Sequence, residues 1–90
     1  LERGEERALV LQAMAEVHLL RHDPSAALEL YARLLAEHPD RPKLWNEHGV
    51  ARHQTGDATG AAADYAHALD LDPRYALARN NLGVVRAQAG

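Results

Sequence analysis

The stretch LWNEHGVARHQTGDATGAAADYAHALDLDP, Leu44–Pro73, decides the fold. It reads as two helices joined at Thr55-Gly56-Asp57 and closed by Asp72-Pro73. Gly56 suits the left-handed conformation that ends a helix, and Asp57 can cap the helix that follows. Pro73 stops the second helix because the residue before a proline is driven out of the helical region. Landmarks of this stretch return 34 positions away: Asp23 and Asp57, Ala27 and Ala61, Tyr31 and Tyr65, Pro39 and Pro73, Gly49 and Gly83, Gly56 and Gly90. Six pairs at one offset in 90 residues mark a tandem helical repeat.

Working outward, the three- and four-residue spacing of apolar positions predicts five helices, over 5–21, 24–37, 41–55, 58–71 and 75–89. The first carries the stripe Leu9, Val10, Ala13, Met14, Val17 and Leu20, which the spacing assigns to the core. The expected faces of the next two are Ala27, Leu28, Tyr31, Leu34 and Leu35, then Leu44, Trp45, His48, Gly49 and Ala51. The fourth offers Ala61, Ala62, Tyr65, Ala68 and Leu69, and the fifth Ala78, Leu82, Val85 and Ala89, ending at Gly90. Asp23 and Asp40 are natural caps for the second and third helices, with Pro24 and Pro42 in their first turns. Joints of a few residues force successive helices to run antiparallel as neighbours. Ala27, Gly49, Ala61 and Ala68 are expected where a backbone must accept a bulky neighbour such as Tyr31, Trp45 or Tyr65.

Composition excludes several function classes. Apolar residues make up 47%, much of it Ala and Leu, with no Phe. No cysteine is present, which excludes disulfides and thiolate metal sites and leaves the compartment open, the cytoplasm being favoured. The 10 basic residues are dispersed among 13 acidic ones, for a net charge of −3, so a nucleic-acid partner is disfavoured. No apolar run approaches the roughly 20 residues needed to span a bilayer. The single Lys, Lys43, against nine Arg suggests a GC-rich bacterial gene.

These residues resemble the tetratricopeptide repeat (TPR). With Pro42–Tyr75 as one unit, Trp45, Gly49, Ala61, Tyr65, Ala68 and Pro73 match its pattern, while His48 and Arg52 stand where Leu and Tyr are usual. Ala8–Arg41 is a more diverged unit, with Leu11, Ala15 and His18 at the Trp, Gly and Tyr positions. Residues 76–90 look like the first helix of a third unit, either a polar cap or part of a longer array. Residues 1–7 are then a tail or helix start. The resemblance implies an all-α, right-handed solenoid of antiparallel helix hairpins. It also implies a non-catalytic module that binds a partner peptide or protein on a concave face lined by the first helix of each unit. By register that face carries Gln12, Glu16, Leu19, Lys43, Asn46, Val50, His53, Asn80, Val84 and Ala87. The family subset that clamps the acidic C-terminus of heat-shock chaperones uses Lys and Asn residues. Gln12 stands at its first Lys position, and Glu16, Val50 and Val84 at its Asn position, so no such clamp is expected.

Competing readings follow from the same residues. A solvated helix face with no ligand would look similar. Unpaired end faces could instead stack on another copy, making a structural scaffold, so a monomer or a weakly self-associating oligomer is expected. His18 and His22 lie four apart, but no recognisable ligand spacing supports a metal site. Ser25, the one serine, sits in a helix's first turn without nucleophile context, and no glycine-rich loop suits a phosphate. No catalysis, cofactor or metal is therefore expected.

Overall fold

The computed structural model describes residues 3–89. It contains α1 (Arg3–Leu20), α2 (Pro24–Glu37), α3 (Pro42–Gln54), α4 (Ala58–Leu71) and α5 (Ala76–Ala89), and no strand among the described residues. The helices form a stack of antiparallel hairpins measuring 44 × 28 × 18 Å. Expected helix limits hold to within about two residues, the ordinary scatter of helix ends. The expected end at Gly90, and the tail residues Leu1 and Glu2, lie outside the described residues.

Two clusters make the core. Ala27, Tyr31, Leu34 and Leu35 of α2 pack with Ala8 and Ala15 of α1 on one side and Leu44 and Ala51 of α3 on the other. Ala61 and Tyr65 of α4 pack with Leu82 and Val85 of α5. The small residues stand where the sequence placed them. Ala27, Ala61 and Ala68 are fully buried. A Cβ built on Gly49 would lie 2.6 Å from Tyr65 Cε1, so the Tyr65 ring rests directly on the α3 backbone.

The first helix departs from expectation. Leu9, Val10, Ala13, Met14, Val17 and Leu20 are exposed, and α1 turns Ala8, Leu11, Ala15 and Leu19 inward instead. Periodicity finds the stripe but cannot say which side a neighbour covers. Here the small Ala8 and Ala15 permit the close approach to α2. Ala89 is also exposed.

Helix ends repeat the register too. Asp57 N donates to Arg52 O at 3.0 Å and Gly56 N to His53 O at 3.0 Å, and Gly56 has φ 88°. Thirty-four residues earlier, Asp23 N donates to His18 O at 2.8 Å and His22 N to Leu19 O at 3.1 Å, and His22 has φ 55°. Both are the same left-handed helix stop, one with a glycine and one with a side chain strained into it. The caps are less uniform. Asp57 Oδ1 accepts from Gly60 N at 2.8 Å, as expected. Asp23 sits at its N-cap position without a cap bond, its carboxylate lying 3.4 Å from His18 Nδ1. Arg41, not Asp40, precedes α3 as its N-cap. Pro24 and Pro42 start those two helices with φ already fixed, which lessens the need for a side-chain cap.

Trp45 is a half-buried clamp rather than a buried anchor. Its indole N–H donates to Pro39 O at 2.8 Å, and its ring stacks on His67 at 3.9 Å. Arg79, 34 residues later, makes the equivalent bond, Nη2 to Pro73 O at 2.6 Å. Inside the α3–α4 hairpin, His48 Nδ1 lies 2.6 Å from Asp64 Oδ2, with Arg52 Nη1 3.5 Å from Oδ1. His48 thus fills an apolar register position by bringing its own buried acceptor.

Candidate functional site

Alternate helices α1, α3 and α5 lie side by side, tied by polar links that share one spacing. Gln54 Nε2 donates to Leu19 O at 3.1 Å, Asn81 Nδ2 donates to Asn46 Oδ1 at 3.0 Å, and His53 Nε2 lies 2.7 Å from Gln88 Oε1. Each pair is 35 residues apart, one repeat plus one step, so each joins a residue to its neighbour in the next copy.

Two open hollows lie along α1 and α3. One, of about 420 Å³, is lined by Gln12, Lys43 and Tyr75 together with Asp40 and Asp72. The other, of about 540 Å³, is lined by Glu16, Glu47, Leu19, Leu20, Val50 and Gln54. Between them runs a chain of polar contacts. Lys43 Nζ lies 3.3 Å from Glu16 Oε1, Glu16 is within hydrogen-bond reach of Glu47, and Glu47 Oε1 accepts from Tyr31 OH at 3.0 Å. Burial, reinforced by the hydrogen bond with Glu16, pushes the Glu47 carboxyl up to about 7. The bond to Glu16 holds the Lys43 ammonium above its ordinary value. Burial and the Glu47 charge push the Tyr31 hydroxyl far up, so it stays a donor. This arrangement can hydrogen-bond a chain laid across it, and it offers a free carboxylate one ammonium that is already paired.

Of the residues singled out by register, Gln12, Glu16, Lys43, Leu19 and Val50 line these hollows. Asn80, Val84 and Ala87 are exposed on α5, away from both hollows, and His53 is engaged with Gln88. Asn46 is withdrawn from the surface: it is 5% exposed and accepts from Asn81 inside the stack. Sequence reasoning missed Glu47 and Tyr75. Glu47 lies one turn beyond Lys43 on the same helix face, a signal that could have found it. Tyr75 reaches the hollow from the joint before α5, which no periodicity marks. Among the described residues no three His, Cys, Asp or Glu side chains converge as a metal site would require, and no helix is long and apolar enough to cross a membrane.

The family profile for the tetratricopeptide repeat matches residues 14–90. The chain belongs to the tetratricopeptide-repeat family. TPR domains mediate protein–protein interaction, and the five-helix stack is their fold. The TPR chain is similar to the FK506-binding protein-like protein of Mus musculus, 34% identical over 83 residues, and to that of Rattus norvegicus, 32% identical over 83 residues. These matches cover 92% of the TPR chain and 24% of each relative, so the chain spans about a quarter of their length. Both relatives are mammalian and lend no support to a bacterial origin. Among solved structures it is similar to the first TPR of Spaghetti (RPAP3) bound to the HSP90 peptide SRMEEVD. The TM-score is 0.84 at 22% identity, covering 90% of this chain and 66% of that one. At that identity the likeness is one of fold.

Proposed function

We propose that the chain is a non-catalytic module whose α1–α3 groove receives an extended peptide segment of a partner protein. The supporting observation is the Lys43–Glu16–Glu47–Tyr31 chain of contacts between two open hollows on one face. Leu19, Leu20 and Val50 supply apolar contact beside it. Repeat units over 8–41 and 42–75, with 76–90 as a partial third, account for the tie spacing along this face. The groups gathered there satisfy one another, and none is poised as a nucleophile, which supports a binding role over catalysis.

An acidic C-terminal carboxylate is a poor fit, because Glu16 repels it and Lys43 is already paired. Isothermal titration with the peptide SRMEEVD is therefore expected to show binding weaker than about 1 mM; micromolar affinity overturns this preference. For the groove itself, peptides selected from a random display library are expected to lose at least about tenfold in affinity on Lys43→Glu or Gln12→Arg. Selected peptides indifferent to both substitutions sink the reading. Self-stacking is not favoured: the bare side of α5 carries Arg79 and Arg86, a poor match for the apolar stripe of α1.

A further inference from the structure

The hollow of about 540 Å³ between α1 and α3 is rich in acceptors. Glu16 and Glu47 line it, and among the described residues no lysine or arginine does. Gln54 lines it as well. Its Nε2 donates to Leu19 O at 3.1 Å, and its Oε1 is buried without a hydrogen-bond partner. Leu19, Leu20 and Val50 form the apolar wall. The neighbouring hollow adds Asp40 and Asp72, while its two cations are engaged, Lys43 with Glu16 at 3.3 Å and Arg41 with Glu5 at 2.6 Å. The groove thus presents more negative than positive charge. Neither α2 nor α4 lines either hollow. In the matching seam between α3 and α5, Val84, the counterpart of Val50, is 50% exposed, so the stack leaves this side open.

We propose, resting on the reading that this groove takes an extended peptide, that the hollow at Glu16 and Glu47 receives an arginine side chain of that peptide. A guanidinium is a planar fork of N–H donors with no acceptor, so it suits a wall of acceptors. The fork can meet both carboxylates at once, and its alkyl stem lies against Leu19 and Val50. A lysine ammonium is a more strongly hydrated point charge and fits the pair less closely. An acidic peptide meets Glu16 and Glu47 as like charges. An apolar one strips water from the acceptors and gives them no donor, at a cost. The cation also changes the protonation of its site. Burial and the contact with Glu16 raise the Glu47 carboxyl to about 7, while the Tyr31 hydroxyl of α2 and Lys43 act to lower it. A guanidinium beside it favours the ionised form, so Glu47 releases its proton on binding. Binding therefore strengthens as pH rises through about 7. His22, from the joint after α1, lines the same hollow, and its protonated form opposes a cation in the same sense. Tyr75, whose hydroxyl is raised by burial and by the Glu47 charge, stays neutral throughout.

The test selects short peptides from a random display library against the full chain and measures the tightest by isothermal titration. Those that lose affinity on Gln12→Arg occupy the groove, and they are expected to contain arginine. Replacing that arginine by citrulline, neutral and of nearly the same shape, should weaken binding at least about tenfold, and replacing it by lysine about threefold or more. Glu47→Gln keeps the Tyr31 contact and should weaken binding at least about tenfold without lowering the melting temperature. Glu16→Gln serves as a second variant and should act in the same direction. Affinity for the parent chain should rise by up to about tenfold from about pH 6 to about pH 8, a rise that His22→Gly retains and Glu47→Gln loses. Groove-bound peptides that lack arginine, bind as well with citrulline or lysine, or ignore both glutamate substitutions overturn this proposal while the groove reading stands. Peptides indifferent to Gln12→Arg and to Lys43→Glu sink the groove reading and this proposal with it.

Discussion

The helices α1 and α3 occupy the same place in successive copies of one pattern, and they meet opposite surroundings. On α3 the face toward α2 is buried, with Leu44 at 1% and Ala51 at 0% exposure. On α1 the equivalent Val10 and Val17 are 58% and 44% exposed, although their side chains are as apolar. Position in the stack, not side-chain character, sets which face is buried. A helix in an array has two sides to cover, and its own sequence shows both without naming the neighbour.

The strongest way to break this comparison is to cut both helices at the same register position. Leu44→Ala is expected to cost about 2–5 kcal/mol by leaving a cavity, and Val10→Ala less than about 0.5 kcal/mol. Equal losses in chemical denaturation would mean that α1 is covered after all. Glycines sharpen the same point between α3 and α5. Gly49→Ala drives a methyl into the buried Tyr65 ring, and about 1–3 kcal/mol of stability should be lost. Gly83→Ala meets no heavy atom within 4 Å among the described residues, so about 0.5–1 kcal/mol should be gained from helix propensity. A destabilised Gly83→Ala chain would show that α5 has a close neighbour.

Electrostatics distinguish the helices as well, since Glu47 on α3 is Ala13 on α1. Glu47 titrates near 4.5 when unfolded and is raised to about 7 in the fold. Between those values the folded chain keeps a proton that the unfolded chain has released. Folding stability therefore falls as pH rises from about 4.5 to about 7, and the loss is complete above that window. Glu47→Gln keeps the acceptor for Tyr31 and removes the titration. It should raise stability at pH 8 by about 1 kcal/mol after allowance for partial solvent screening, with no gain at pH 4. A stability difference between parent and variant that stays constant across this range would refute the raised Glu47 titration. The smallest effect concerns the helix stops. His22 holds the left-handed conformation that Gly56 adopts freely, so His22→Gly should add about 0.5–1 kcal/mol. A loss on that substitution would mean that His22 has packing its φ does not reveal.

Much of this was legible in the residues. The 34-residue spacing of Tyr31 and Tyr65 placed both rings in the core, and Gly49 opposite Tyr65 was readable as a close approach. The groove was legible in part. Gln12, Glu16 and Lys43 followed from register, because one helix face repeats from copy to copy. Asn46 did not, because its partner Asn81 lies 35 residues away, and only stacking brings the two together. Glu47 carried no pattern of its own. Its raised titration comes from the burial and contacts that α1, α2 and α3 create jointly.

The local periodicity, the prolines and the glycine at position 56 determined five helices and their antiparallel order, because those depend on neighbours a few residues apart. The offset of 34 determined that the hairpins stack. Tertiary structure alone decided which side of α1 faces solvent, which polar groups meet between helices, and which carboxyl keeps its proton. Those outcomes depend on what lies across an interface, and one helix's sequence does not contain the surface opposite it.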